Sequence, residues 1–211
     1  MLNIAVLVSG GGTNLQALMN AEKAGKIPGG RISLVISGNP RAFALTRSRN
    51  AGIPSAVLAR KDFSSQNEYD DALLKMLDEN HTGLVVLAGF LTIIGPRVVQ
   101  SYRNRIINIH PSLIPSFCGP GFYGLRVHEA ALKRGVKVTG ATVHFVNEVC
   151  DGGPIILQEA VKVMPGDTPQ SLQKRVMEQA EWKLLPRAAA LFCEGRLSII
   201  NDQVIIRRGP S

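Results

Sequence analysis

Apolar and polar positions along the chain change period repeatedly, from strand-like runs to helix-like stripes and back. Ile4–Val8 is a continuous apolar run that ends in glycines, as expected of a strand buried on both faces. Asn14–Ala24 follows with apolar residues at helical spacing, Leu15, Leu18 and Met19. Ile32–Ile36 reads as a second strand and Ala42–Ala51 as a helix stopped by Gly52 and Pro54. Ser55–Leu58 is a short third strand. Asn67–Glu79 is amphipathic, with Tyr69, Leu73 and Leu77 on one stripe. Leu84–Ala88 and Ile106–His110 supply the fourth and fifth strands. Strands separated by helices of this length imply right-handed βαβ crossovers and a mainly parallel sheet.

The pattern changes after His110. Residues 111–124 are rich in Pro and Gly, carry no period, and form a loop of a length that is often functional. Val127–Arg134 has helical spacing. Val138–Val146 and Ile155–Met164 read as strands, antiparallel to each other or to the sheet edge. Thr168-Pro169 is a helix start, with Thr as N-cap and Pro at the first position, and that helix extends to about Glu194. A last hairpin, Leu197–Ile206, turns at Asn201-Asp202. The expectation is an α/β, Rossmann-like, mainly parallel twisted sheet with helices on both faces, followed by C-terminal antiparallel strands and a long helix. No linker or repeat divides residues 1–211, so they read as a single domain with halves at 1–110 and 111–211.

At 45% hydrophobic residues the chain has material for a full core, which excludes a disordered class. No basic segment precedes an apolar one at the N-terminus, and the apolar runs fall far short of the roughly 20 residues of a membrane helix. A soluble, cytoplasmic protein is expected. Cys118, Cys150 and Cys193 are widely spaced, which argues against a disulfide framework or a zinc site and reads as packing, with Cys150 beside Asp151. The formal charge of +8 fits an anionic small substrate or a solubility surface. Nucleic-acid binding is disfavoured because the Lys and Arg residues are scattered rather than clustered.

Ser9-Gly10-Gly11-Gly12-Thr13-Asn14 joins the first strand to the first helix. Glycines there let the backbone turn tightly and bring N–H groups to a ligand, and the helix N-terminus adds about half a positive charge. The spacing is neither a dinucleotide fingerprint nor a P-loop, since Leu15 stands where the third glycine would be and no Gly-Lys-Ser/Thr follows. A phosphomonoester on these N–H groups is the functional reading; an ordinary tight turn is the alternative.

Asn108 and His110 lie two apart at the end of a strand, on the same face, at the carboxyl edge where open α/β sheets bind ligands. An amide donor beside an imidazole suits acyl transfer, although a strand-end His taken alone is more often packed or solvated. Asp151-Gly152-Gly153-Pro154 offers a carboxylate on a turn, which near His110 would favour its imidazolium form and fix its tautomer. Taken alone, Asp151 reads as a turn residue. No Ser or Cys sits in a nucleophile elbow, so direct attack by a substrate amine is the simpler route. His128 and His144 read as packed or supporting residues, His81 as solvated, and Trp182 as packed on the long helix.

At these residues the sequence resembles the folate-dependent glycinamide ribonucleotide formyltransferases. The resemblance runs from Ile4 to about Ile199 and rests on VSGGGTNLQAL, VVLAGF, INIHPSLIP, GATVHFV and DGGPIILQ. The Asn-x-His-Pro-Ser-Leu stretch with a downstream Asp-Gly-Gly-Pro is specific to folate formyltransferases and close relatives. The resemblance implies that Asn108, His110 and Asp151 are the catalytic trio, with Pro111 and Ser112 in the adjoining turn. It implies that Gly12, Thr13 and Asn14 hold the ribonucleotide phosphate, that Glu181 binds ribose hydroxyls, and that Gln179 and Ala180 lie beside it. The first half then carries the phosphate and the second the folate and the catalytic groups. Leu91, Thr92, Ile93 and Ile94 correspond to one folate loop. Asn147, Glu148, Val149, Cys150 and Asp151 correspond to the other, with Asn108 between them and Gln66 near the glutamate tail.

The implied reaction is direct transfer of the formyl group of 10-formyltetrahydrofolate, as co-substrate, to the amine of glycinamide ribonucleotide in purine biosynthesis. No metal, nucleic acid or membrane partner is expected, and the chain would act as a monomer or homodimer. Two rivals are a 10-formyltetrahydrofolate hydrolase and a non-catalytic nucleotide-binding module. The chain departs from some members at Thr92 and Gln66, where they carry Arg, leaving no cation at those positions for the folate tail. The segment Arg175–Pro186 is one residue longer than in some relatives, and the Ser116–Gly124 loop is longer than in several.

Overall fold

A computed structural model describes residues 1–208. Seven strands form one sheet: β1 (Leu2–Val8), β2 (Gly30–Ser37), β3 (Ser55–Val57), β4 (Thr82–Leu87), β5 (Ile106–His110), β6 (Val138–Phe145) and β7 (Ile155–Lys162). Their order is β3-β2-β1-β4-β5-β6-β7. The first five run parallel, while β6 is antiparallel to both β5 and β7. The helices are α1 (Thr13–Lys23), α2 (Phe43–Asn50), α3 (Gln66–Glu79), α4 (Pro96–Ser101), α5 (Leu125–Arg134), α6 (Pro169–Val176) and α7 (Trp182–Cys193). A separate hairpin, β8 (Leu197–Ile200) and β9 (Gln203–Ile206), turns at Asn201 and Asp202, both with positive φ, as a tight hairpin turn requires.

The alternation of strand side chains sorts the core into two layers. Ile4, Val6 and Val8 of β1, Leu84 and Val86 of β4, and Ile107 and Ile109 of β5 pack with α1, α6 and α7 on one face. Ala5, Leu7, Val85, Leu87 and Ile106 pack with Tyr69, Leu73 and Leu77 of α3 and Val98 of α4 on the other. On this second face the next positions along β5 are Asn108 and His110. Their cross-strand partners on β6 are His144 and Thr142. The apolar layer thus gives way to a polar patch at the carboxyl end of β5.

The sequence-based strands are all present, and the two late strands are antiparallel to each other, with β6 alone running against the parallel set. Three features lay outside that reading. Pro96–Ser101 forms a helix too short to show a period, and Arg60–Asp62 forms a single 3₁₀ turn. The long C-terminal helix is continuous only through a π-turn at Met177–Glu181. Its start is as expected: the Thr168 hydroxyl accepts the Ser171 N–H and the Ser171 hydroxyl accepts the Thr168 N–H, with Pro169 at the first position.

The connection from β6 to β7 is tight. A Cβ on Gly153 would overlap the Phe145 carbonyl, and that backbone is fixed because the Phe145 N–H donates to the Pro154 carbonyl at 2.9 Å. Gly153→Ala is expected to cost roughly 1–3 kcal/mol, as overpacking against rigid neighbours does. Calorimetry should then show a Tm lower by several degrees. A shift below about 1 °C would mean that the turn relaxes without strain.

Candidate active site

Period-two geometry and the antiparallel register bring Asn108, His110 and His144 onto one patch, and the turn after β6 swings Asp151 over it. Asp151 takes φ 54°, a left-handed conformation an Asp tolerates in a turn. One carboxylate oxygen, Oδ2, lies 3.5 Å from His110 Nδ1 and accepts the Gly119 N–H at 2.8 Å. The other, Oδ1, lies 3.6 Å from His144 Nε2. Both imidazoles are almost fully buried.

Hydrogen-bond roles set the tautomers. His144 Nδ1 faces the Phe145 carbonyl at 2.7 Å, so it donates, and Nε2 is left to accept the Asn108 amide at 3.1 Å. That contact uses one of the two amide hydrogens of Asn108 and leaves the other for a ligand. His110 Nε2 faces the Phe117 carbonyl at 2.9 Å and must likewise donate, which turns Nδ1 toward Asp151.

The loop carrying Phe117 and Gly119 is anchored from the sheet. Thr142 Oγ1 donates to the Ser112 carbonyl at 2.7 Å and accepts the Ile114 N–H at 3.1 Å, while the Gln158 amide donates to the Ile114 carbonyl at 3.0 Å. Sequence reasoning missed Phe117 and Gly119 because both act through the backbone, where residue identity carries no signal.

Electrostatics correct one expectation. Burial drives His110 below the usual imidazole value, outweighing the raising influence of Asp151 and of the Phe117 carbonyl. Asp151 therefore does not hold His110 as an imidazolium in the free protein. Burial would raise the Asp151 carboxyl, but the neighbouring His144 and His110 rings and the Gly119 N–H together hold it below its usual value. The centre thus pairs an ionised carboxylate with a neutral imidazole. Burial and then Asp151 push the Cys118 and Cys150 thiols up, so neither offers a thiolate nucleophile at neutral pH. Cys150 is exposed rather than packed. His128 is fully buried, its ring nitrogens have no partner, and burial drives it down to about 4. His81 is exposed, as expected.

The glycine loop sits at the carboxyl end of β1. Gly12 has φ 72° and caps α1, and a Cβ there would press into Ala44 of α2. The first N–H groups of α1 have no intrahelical partner and point out of the helix end. Asn14 Nδ2 donates to Glu181 Oε2 at 2.6 Å, and Thr13 Oγ1 lies 3.7 Å from Met177 Sδ. Arg47 adds a cation that the sequence did not reveal. Its guanidinium donates to the Gly11 carbonyl and to Gln16 Oε1, each at 2.9 Å. Ala180 is fully buried in the core, so only its backbone can meet a ligand, and Gln179 is exposed.

After β4, Leu91 and Ile93 are 61% and 81% exposed, and Val149 on the loop after β6 is 65% exposed. The Leu91 N–H donates to Ser9 Oγ at 2.9 Å, which ties this loop to the glycine loop. Thr92, Ile94 and Asn147 are half-buried and Glu148 is exposed. Gln66 does not point freely outward. Its amide donates to Asp70 Oδ1 at 2.7 Å and accepts Arg60 Nε at 3.0 Å. Arg60 thus supplies a cation at the corner where Thr92 and Gln66 do not.

A family model described as formyl transferase matches residues 2–189. The chain belongs to the formyl transferase family. It is 42% identical over 202 residues to the phosphoribosylglycinamide formyltransferase of Haemophilus influenzae, covering 96% of this chain and 92% of that one. Identity to the Escherichia coli phosphoribosylglycinamide formyltransferase is 41% over 198 residues, 94% of this chain and 90% of that one. Glycinamide ribonucleotide transformylase 1 from Symbiobacterium toebii superposes with a TM-score of 0.92 at 42% identity, over 99% of this chain and 95% of that one. A formyltetrahydrofolate deformylase from Pseudomonas syringae shares the fold, with a TM-score of 0.87 at 24% identity over 66% of that chain.

In this formyl transferase Glu181 is a buried carboxyl. Burial pushes its carboxyl up to about 7, against the lowering influence of the Asn14 amide. A carboxyl whose folded pKa exceeds its unfolded value binds more protons when folded, so stability falls as pH rises. The cost is absent below about pH 4.5, grows toward pH 7 and is complete above it. Glu181→Gln, nearly isosteric, is expected to raise Tm relative to the parent at pH 8 by more than at pH 5. An equal shift at both values in a thermal melt series would show that Glu181 carries no buried charge.

Proposed function

We propose that Asn108, His110 and Asp151 carry out direct transfer of the formyl group of 10-formyltetrahydrofolate to the primary amine of glycinamide ribonucleotide. The chain is a formyltransferase of purine biosynthesis, and the proposal concerns which residues do the work. The observation that carries it is the ionised Asp151 carboxylate beside a neutral His110, with a free Asn108 amide hydrogen on the same patch.

The amine attacks the formyl carbon, and the carbonyl oxygen becomes an oxyanion as a C–N bond forms. Asn108, oriented by His144, gives its second amide hydrogen to that oxygen, a contact of the kind worth about 10²–10³ in rate. The adduct carries a surplus proton on nitrogen. His110 Nδ1, which holds a lone pair, takes it, and the imidazolium forms beside Asp151, whose charge stabilises it at that moment. The proton then passes to the departing folate nitrogen as its bond to the formyl carbon breaks.

Support for the substrate side comes from the free N–H groups at the Gly12–Asn14 turn, Arg47 beside them and Glu181 across from Asn14. These suit a phosphate and ribose hydroxyls. The exposed Leu91, Ile93 and Val149 offer two apolar walls that suit a flat pterin, and Arg60 stands near Gln66 for an anionic tail. The test of the reaction is a product assay with 10-formyltetrahydrofolate, run with and without glycinamide ribonucleotide. Formyl loss is expected to depend strongly on the ribonucleotide. Equal folate consumption in its absence would identify a hydrolase instead.

Asp151→Asn is expected to keep the fold and ligand binding but to slow the single-turnover step by roughly 10²–10⁴-fold, the range of a general acid–base group. Removing the anion disfavours the imidazolium, so the His110 pKa falls further and the acid limb of the pH–rate profile moves to lower pH. A variant within about threefold of the parent at neutral pH, where acid–base groups matter far more, would show that Asp151 is not the partner of His110.

A further inference from the structure

A groove of about 720 Å³ lies between α1 and α7, outside the reacting centre. Its floor is built of small apolar residues of the two helices, and it follows α1 from Thr13 to Ala24, a length of about 16 Å at the helical rise. Lys26, Arg47, Lys183 and Arg187 line it, and no Asp or Glu does. Lys26, Lys183 and Arg187 form no ion pair among the described residues. Trp182 also lines the groove, and its buried indole N–H has no hydrogen-bond partner. The groove shares Thr13 and Arg47 with the glycine loop, but Asn14 and Glu181 do not line it.

Four cations around one concavity with no compensating carboxylate raise the local potential and favour a polyanion over a single charge. The volume falls in the range of small-molecule sites, about 300–1,000 Å³, which suits one nucleotide rather than a nucleic-acid strand. A flat aromatic wall over an alanine floor offers a stacking face to a base, while the indole N–H is itself closed to solvent. We propose that this groove is a second binding site, taking a nucleoside triphosphate with its phosphates over Lys26, Lys183 and Arg187 and its base against Trp182. Asn108, His110 and Asp151 do not belong to the site, and only its edge, at Thr13 and Arg47, meets the proposed phosphate site.

The test is isothermal titration of the full chain with ATP, with adenosine and inorganic tripolyphosphate as separate arms. Saturating glycinamide ribonucleotide is kept present to fill the glycine loop. ATP is expected to bind with one-to-one stoichiometry, tighter than either fragment. Lys183→Glu with Arg187→Glu, both at exposed positions, should weaken ATP binding at least about tenfold. The same variant should retain the parental melting temperature and the parental formyl-transfer rate without ATP. The proposal is overturned if ATP gives no saturable binding, or if the double variant binds it as tightly as the parent. Affinity for tripolyphosphate equal to that for ATP would overturn the nucleoside assignment.

Discussion

The antiparallel register between β5 and β6 sets Asn108 against His144 and His110 against Thr142, and most of the site descends from those two pairs. Each pair faces away from the apolar layer that α1, α6 and α7 cover, so four polar side chains share one patch. A slip of β6 by one residue would turn His144 and Thr142 into that layer and bring Val143 and Phe145 to the patch. The burial of those two apolar residues therefore enforces the register. His144 then orients the Asn108 amide, and Thr142 pins the loop that presents the Phe117 carbonyl and the Gly119 N–H. The chemistry rests on backbone groups delivered by a loop that the sheet fixes in place.

Burial acts on the two acid–base partners in opposite ways. It disfavours charge on both, yet Asp151 has three compensating contacts and stays ionised, whereas His110 has Asp151 at 3.5 Å and a carbonyl and becomes neutral. A neutral His110 is the better proton acceptor for an amine adduct, and the nearby carboxylate lowers the cost of the imidazolium only when it forms. The charge is thus held where it never has to be created during the reaction, and the group that changes charge is kept uncharged beforehand.

Much of this was legible in the sequence, for physical reasons that also mark where legibility ends. Strands β1, β4 and β5 are buried on both faces, so their continuous apolar runs identify them. Asn108, His110 and Asp151 declare themselves through period two and a glycine-flanked turn. The sign of the His110 shift did not, because it depends on how much protein covers the ring, which no spacing encodes. Arg47 meets the glycine loop across 36 residues of chain, a contact created only by the packing of α2 on α1. The backbone partners at Phe117 and Gly119 leave no trace in side-chain identity. Gln66 read as a position lacking a cation, and the fold supplies Arg60 beside it.

The π-turn shows how a stability constraint can set a functional distance. One extra residue in a regular helix rotates everything beyond it by about 100°. Without a wider turn at Met177–Glu181, that rotation would turn the stripe of Leu184, Leu185, Ala188 and Ala189 away from the core that buries it. Burying each of those leucines is worth about 1.5–3 kcal/mol, whereas a widened turn gives up about one well-formed hydrogen bond, of net value near 1 kcal/mol. The widened turn therefore wins, and Met177–Glu181 becomes a π-turn. Pro186 adds to the local irregularity: lacking an N–H, it cannot donate to the Trp182 carbonyl, immediately after that turn. Because the apolar stripe is held in phase with the core, Glu181 stays in phase with Asn14 and keeps its 2.6 Å contact. The position of a buried carboxylate at the site is inherited from the packing of the helix behind it.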